Sequence, residues 1–220
     1  MIIKVFIIQY IYTTLHYTTL RYTTLRYTTL TMTTPQKINI YGFSGKLGCG
    51  KNYLAEKIFK PTPPFLLLAF ADPLKIELCV RENIPYESVF HTKDHQSRIA
   101  LQKYGTEMRE KYGPYIWINY MHNLIKMHSE RGIYTFIITD VRYPNELMWI
   151  KSLGGVIVRI EAPQRNLDEL KKEANGDPAK MQEISSHSSE IALDNYQTQF
   201  DYIINNDYGV EVTLNHIEKI

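Results

Sequence analysis

Gly45-Lys46-Leu47-Gly48-Cys49-Gly50-Lys51-Asn52 stands between a short β-branched and aromatic run, Ile38 to Tyr41, and a helical stretch, Asn52 to Phe59, which the Pro-rich segment Pro61 to Pro64 stops. Strand, glycine loop, helix is the setting in which the spacing G-x-x-x-x-G-K cradles phosphate. Glycines let successive backbone N–H groups turn inward, and the start of the helix adds a partial positive charge. Lys51 supplies a mobile full charge for the β and γ oxygens of a nucleoside triphosphate. The competing reading is a glycine-rich turn with an incidental lysine, and the flanking strand and helix speak against it. The departure is Asn52, where Ser or Thr normally offers a hydroxyl to Mg²⁺. An amide oxygen can still ligate that ion or orient one of its waters.

Outward from this loop, short apolar runs alternate with helical segments. Phe65 to Phe70, Tyr134 to Thr139, Gly155 to Ile160 and Phe200 to Ile204 read as further strands. Such runs, apolar without strict alternation, indicate an α/β fold: three layers, with a mostly parallel five-stranded sheet covered by helices on both faces. Functional loops then gather at the carboxyl ends of the strands.

The 220 residues carry a net charge of +2 with basic residues scattered, which lacks the electrostatic footprint of a duplex-binding protein. The two cysteines, Cys49 and Cys79, make no disulfide framework and sit in no metal-binding spacing, so a reducing, cytoplasmic compartment is expected. The apolar run Val5 to Tyr12 is too short to span a bilayer and no small-residue cleavage site follows it. Beyond it Tyr-Thr-Thr-Leu recurs at Tyr12, Tyr17, Tyr22 and Tyr27. A period of five keeps no apolar face in a helix or a strand, so residues 1–34 read as a low-complexity leader outside the fold, with a β-rich association segment as the alternative. Met32 lies just before the globular pattern, and residues 35–220 are expected to form the working domain.

A phosphate loop alone does not separate kinases from GTPase switches or motor ATPases. No Asn-Lys-x-Asp base-reading motif is present and no Asp-x-x-Gly follows a strand, and the chain is short for a motor, which leaves a small-molecule kinase. Asp140, after the apolar run Phe136 to Thr139, stands where a carboxylate can hold a water of the Mg²⁺ shell, with helix capping as the rival role. Arg142 can reach phosphate with its planar fork, or form a surface ion pair. Asp72 ends another strand and either faces the acceptor or caps the helix that Pro73 opens. Arg98 and Arg109 suit an acceptor phosphate, against a solvated helix face shared with Lys103, Glu107 and Lys111. Trp117 and Tyr104 can pack on a base or in the core.

Several segments together resemble the phage and viral deoxynucleoside monophosphate kinases, a branch of the P-loop nucleoside monophosphate kinases. They are Gly45 to Lys51, Ala69-Phe70-Ala71-Asp72-Pro73-Leu74-Lys75, Leu101 to Glu107 with Arg109, Trp117, Ile138-Thr139-Asp140-Val141-Arg142-Tyr143-Pro144-Asn145-Glu146, and His187-Ser188-Ser189-Glu190 before Phe200 to Asn206. The resemblance covers residue 37 to the C-terminus. It implies ATP and Mg²⁺ as cofactors, a nucleoside monophosphate acceptor, an acceptor-binding insertion at about 72–131 and a mobile lid at about 163–190. It further implies ATP contacts from Gly45, Lys46, Gly48, Cys49, Gly50, Lys51, Asn52 and Tyr53, and metal contacts from Asn52 and Asp140. Acceptor contacts would come from Asp72, Lys75, Arg98, Arg109, Trp117, Arg142 and Glu146, and catalysis from Lys51, Asp140, Arg142 and Arg165. In this family Asp is frequent at the Asn52 position. A viral relative would act in the host cytoplasm, and a homodimer is the assembly to look for; no membrane or duplex partner is expected. Two alternatives stay open: a kinase of another phosphorylated metabolite, of phosphomevalonate type, and an ATP-binding interaction protein that transfers nothing.

Overall fold

The computed structural model describes residues 36–59, 64–92 and 95–207. The chain divides into two units, Met1–Gln36 and Lys37–Ile220, and the second holds every element below. The repeat leader and most of the Pro-rich stop after the first helix lie outside the described residues.

In chain order the elements are β1 (Asn39–Ser44), α1 (Lys51–Phe59), β2 (Phe65–Leu68), α2 (Ala71–Glu82), a π-helical turn (Ser88–Thr92), α3 (His95–Tyr112), α4 (Ile116–Ser129), β3 (Thr135–Val141), α5 (Pro144–Ser152), β4 (Val156–Glu161), α6 (Pro163–Glu173), α7 (Pro178–Ser186), α8 (Ser188–Ile191), a 3₁₀ turn (Gln197–Gln199) and β5 (Tyr202–Asn205). The sheet order is β2-β3-β1-β4-β5, and every neighbouring pair is parallel. The five-stranded α/β fold read from the sequence is therefore present. From β1 the chain moves to one side of the sheet, and from β3 it crosses to the other, so the carboxyl end of β1 opens at the point where connections diverge.

Side chains that alternate along the strands feed two separate cores. Ile40, Phe136, Ile138 and Ile157 face one side, where they meet Leu74, Leu78, Met121, Leu147 and Ile150 of the helices. Phe43, Ile137, Val158 and Ile160 face the other, against Leu54 and Ala55 of α1. Both faces being covered explains the unbroken apolar runs.

Several strand ends differ from the expected ones: β3 continues past Thr139 to Val141, and β5 begins at Tyr202. β1 continues past Tyr41 to Ser44, because Gly42 and Ser44 pair with both β3 and β4. β2 stops at Leu68, short of Phe70, because the Phe70 and Ala71 amides turn away to the Asp140 carboxylate and start α2. The chain between β2 and β3 is helical in α2, α3 and α4. No described helix is long and apolar enough to cross a membrane.

At the centre of the sheet, a Cβ added to Gly42 would stand 2.8 Å from Ile157 Cδ1, 2.9 Å from Ile150 Cδ1 and 3.0 Å from Val141 Cγ2. Gly42→Ala is accordingly expected to destabilise the fold by about 1–3 kcal/mol through overpacking. Urea unfolding would show a lower midpoint with an unchanged slope; an unchanged midpoint would mean that α5 yields at no cost.

Candidate active site

The loop after β1 is held from several directions. Gly50 has φ +85°, and a Cβ there would lie 2.7 Å from Asn206 Nδ2, so a larger residue would be both strained and crowded. Asn206, at the end of β5, donates from that amide to Cys49 O at 2.9 Å. Lys46 Nζ is ion-paired to Asp194 at 2.9 Å. The Leu47 peptide is gripped at both ends: its N–H donates to Glu190 Oε2 at 2.9 Å, and its carbonyl accepts from the Asn166 side chain on α6. Lys51 folds back over the loop, donating from Nζ to Gly45 O at 2.7 Å and Lys46 O at 2.9 Å. Burial lowers the pKa of its ammonium and neighbouring Arg142 adds to this, while Cys49 and Glu190 oppose.

A cleft of about 690 Å³ runs from this loop. Gly48, Cys49, Gly50, Lys51, Asn52 and Tyr53 line one part; Lys75, Arg98, Arg109, Trp117, Asp140, Arg142 and Glu146 line the rest. Residues distant in sequence thus converge on one space. Gly45, Lys46, Asp72 and Arg165 do not line it.

Four residues expected to act on ligands have other contacts. Asp72 accepts from Ala69 N at 3.1 Å and binds Lys75 Nζ at 2.9 Å, so it closes the start of α2 and does not line the cleft. Arg165, in the first turn of α6, lies beside Gly50 outside the cleft, with its own N–H 3.3 Å from Asp207 Oδ1. Trp117 is only 2% exposed and packs on Tyr120, so it is a wall of the core before it is a stacking platform. Asp140 caps α2 across the sheet: Oδ1 accepts from Phe70 N at 2.7 Å and Oδ2 from Ala71 N at 2.9 Å. Burial raises its pKa against the pull of those amides.

Each arginine of the cleft has a glutamate. Arg98 pairs with Glu173, Arg142 with Glu190, and Arg109 NH2 stands 3.7 Å from Glu146 Oε1. Arg109 also lies over the Tyr143 ring at 4.3 Å. Glu146, 3% exposed, accepts from Arg142 N at 2.8 Å and Tyr143 N at 3.1 Å, which makes it the N-terminal cap of α5 as well as the partner of Arg109. Burial opposes a low pKa at Glu190, yet Arg142, the Leu47 amide and Lys51 hold its carboxyl below the usual range.

Glu173, Asn166 and Tyr143 are not among the candidate site residues read from the sequence, and Glu190 is raised only by its place in the motif His187 to Glu190. The charged pattern of α6 concealed the first two. Tyr143 and Glu190 stand within the motifs Ile138 to Glu146 and His187 to Glu190, which was the available signal. His187 itself accepts from Ser189 N at 3.2 Å through Nδ1 and so begins α8.

No protein-family model matches the chain. Over 184 residues, 72% of this chain and 89% of the other, it is 27% identical to a protein of Acanthamoeba polyphaga mimivirus named "Putative deoxynucleotide monophosphate kinase". The chain is similar to a viral deoxynucleotide monophosphate kinase. The resemblance read from its motifs therefore holds. Among solved structures, TT1252 from Thermus thermophilus aligns with a TM-score of 0.53 and 14% identity over 84% of this chain and 98% of that one, which shows the shared fold. A shikimate kinase from Acinetobacter baumannii, solved with shikimate, aligns at a TM-score of 0.47 and 13% identity over 84% and 93% of the two chains, too distantly to bear on substrate.

Glu146 makes the site sensitive to pH. Burial first, then the nearby Asp140 charge, pushes its carboxyl up to about 7 from the ordinary 4.5, against the two amides and Arg109. Between those values the folded state binds the extra proton, so the stability this group contributes is complete below pH 4.5 and is lost as pH rises through about 7. Measured by urea unfolding against Glu146→Gln, the wild type is expected to lose on the order of 3 kcal/mol between pH 5 and pH 8. An equal difference from the variant at both pH values would assign the titration elsewhere.

Proposed function

We propose that this protein transfers the γ-phosphoryl group of ATP to the phosphate of a deoxynucleoside or ribonucleoside monophosphate, yielding ADP and the diphosphate. One observation carries the reading: a phosphate loop with its lysine and a set of arginines suited to a second phosphate line the same cleft. An oxygen of the acceptor phosphate would attack the γ phosphorus while the bond to the β–γ bridging oxygen breaks. That nucleophile is already an anion, so no strong general base is needed; what is needed is alignment, charge neutralisation and exclusion of water.

The residues present fit those tasks. The loop amides and Lys51 would hold the triphosphate, with Lys51 exchanging the carbonyls of Gly45 and Lys46 for phosphate oxygens. Arg142, close enough to Lys51 to depress its pKa, is suited to the charge that spreads over the transferring group. Arg109 and Arg98 would bind the acceptor phosphate, and each is ion-paired to a glutamate. Among the described residues no three His, Cys, Asp or Glu side chains gather as a ready-made metal centre. Asn52 and Asp140 both line the cleft, so they would be the residues to hold Mg²⁺ or its waters, and the ion would supply neutralisation of the phosphate charge.

The test is coupled measurement of ADP formation from Mg²⁺-ATP with a panel of ribo- and deoxynucleoside monophosphates, plus a phosphorylated metabolite such as phosphomevalonate. At least one monophosphate should stimulate turnover, and Lys51→Ala should reduce it by roughly a hundredfold or more. Arg109→Ala should raise KM for the acceptor while leaving KM for ATP within about twofold. Stimulation by the metabolite alone would move the assignment to that acceptor, and stimulation by nothing would leave a binding protein.

A further inference from the structure

Glu190 is 7% exposed, and both of its carboxylate oxygens are committed. Oε2 accepts from the Leu47 N–H of the phosphate loop at 2.9 Å, and Oε1 accepts from Arg142 NH1. The same NH1 donates to Ser189 O at 3.1 Å, so α8 takes one nitrogen of the guanidinium and, among the described residues, leaves Nε and NH2 without a protein acceptor. The other end of Arg142 is fixed as well, because its backbone N–H is bound by Glu146. The charges of Arg142 and Glu190 both reach Lys51.

We propose that Glu190 is the positioning residue of phosphoryl transfer: one carboxylate that ties the phosphate loop to Arg142 and aims the free side of the guanidinium at the group held by Lys51. This rests on the kinase reading above and goes beyond it in assigning the alignment of the arginine to a residue of α8. The chemistry requires a carboxylate. Both oxygens receive hydrogen from a donor, and an amide accepts at only one of its two atoms, so a glutamine must turn an NH₂ group toward either Leu47 or Arg142. A charge-assisted bond to guanidinium is also stronger and more directional than a neutral one. Contacts of this kind matter for rate because arginine held in place needs no reorganisation as charge develops.

The experiment is a double-mutant cycle of Glu190→Gln and Arg142→Ala in the full chain. Each variant is assayed for kcat, for both KM values, and for the rise in melting temperature caused by ADP. Glu190→Gln is expected to lower kcat roughly tenfold or more, a larger factor than any change in KM for ATP, while ADP still raises the melting temperature. In the Arg142→Ala background the same change should have little further effect, since the residue it aims is gone. If Glu190→Gln does not fold, Glu190→Asp takes its place in the cycle, as it keeps the charge but withdraws it from both partners. A kcat equal to wild type, or an equal loss with and without Arg142, overturns the proposal. A wild type that turns over no phosphorylated acceptor overturns the proposed function and, with it, the role of Glu190.

Discussion

β1 lies in the middle of the sheet, pressed so closely between β3, β4 and the α5 side chains that Gly42 has no space for a methyl group. That constraint governs what surrounds it. A central strand buried on both faces can leave the sheet only at its carboxyl end, and the glycine loop is what emerges there. β3 runs parallel beside it, so Thr139, Asp140 and Arg142 come out next to the loop, and helices on both sides close over the same end. The cleft is thus a consequence of strand order.

Electrostatics then decides how the cleft is furnished. Half-buried guanidinium groups and an ammonium crowded at one place repel one another and lose hydration, and each arginine here is offset by a glutamate. Two of the pairs carry hydrogen bonds beyond the ion contact: Glu146 also caps α5, and Glu190 also holds Leu47. Pairing of this sort contributes little net stability, but it leaves the arginines pointing in set directions. On the proposed function, an arriving phosphate would find donors already oriented and have less ordering to impose.

The sequence readings succeeded and failed along a physical boundary. Strand and helix identity follow from local pattern: β2 begins at Phe65 as read, and β3, β4 and β5 begin at Thr135, Val156 and Tyr202, close to the expected Tyr134, Gly155 and Phe200. Their ends were less legible: β1 reaches Ser44 because of two partners that no local window contains, and β2 stops early because of a carboxylate on β3. Site residues divide in the same way. Lys51 and the loop glycines are recognisable because their spacing lies along the chain, whereas for Asp72 and Asp140, each read at a strand end as either a ligand group or a cap, only the fold shows that both organise the start of α2.

What the sequence by itself determined is therefore the phosphate loop and its setting between a strand and a helix, since backbone angles, a helix terminus and a nearby lysine are properties of adjacent residues. Only the tertiary structure decided which charges meet. Glu190 and Arg142 are far apart in the chain, as are Glu173 and Arg98, and a charged residue on a helix looks the same whether it faces solvent or a buried partner. The loop could be read because its spacing is local; Arg98, Arg109 and Arg142 could be named as candidates too, but their pairing with glutamates could not, because those pairs exist only once the sheet has brought the strand ends together.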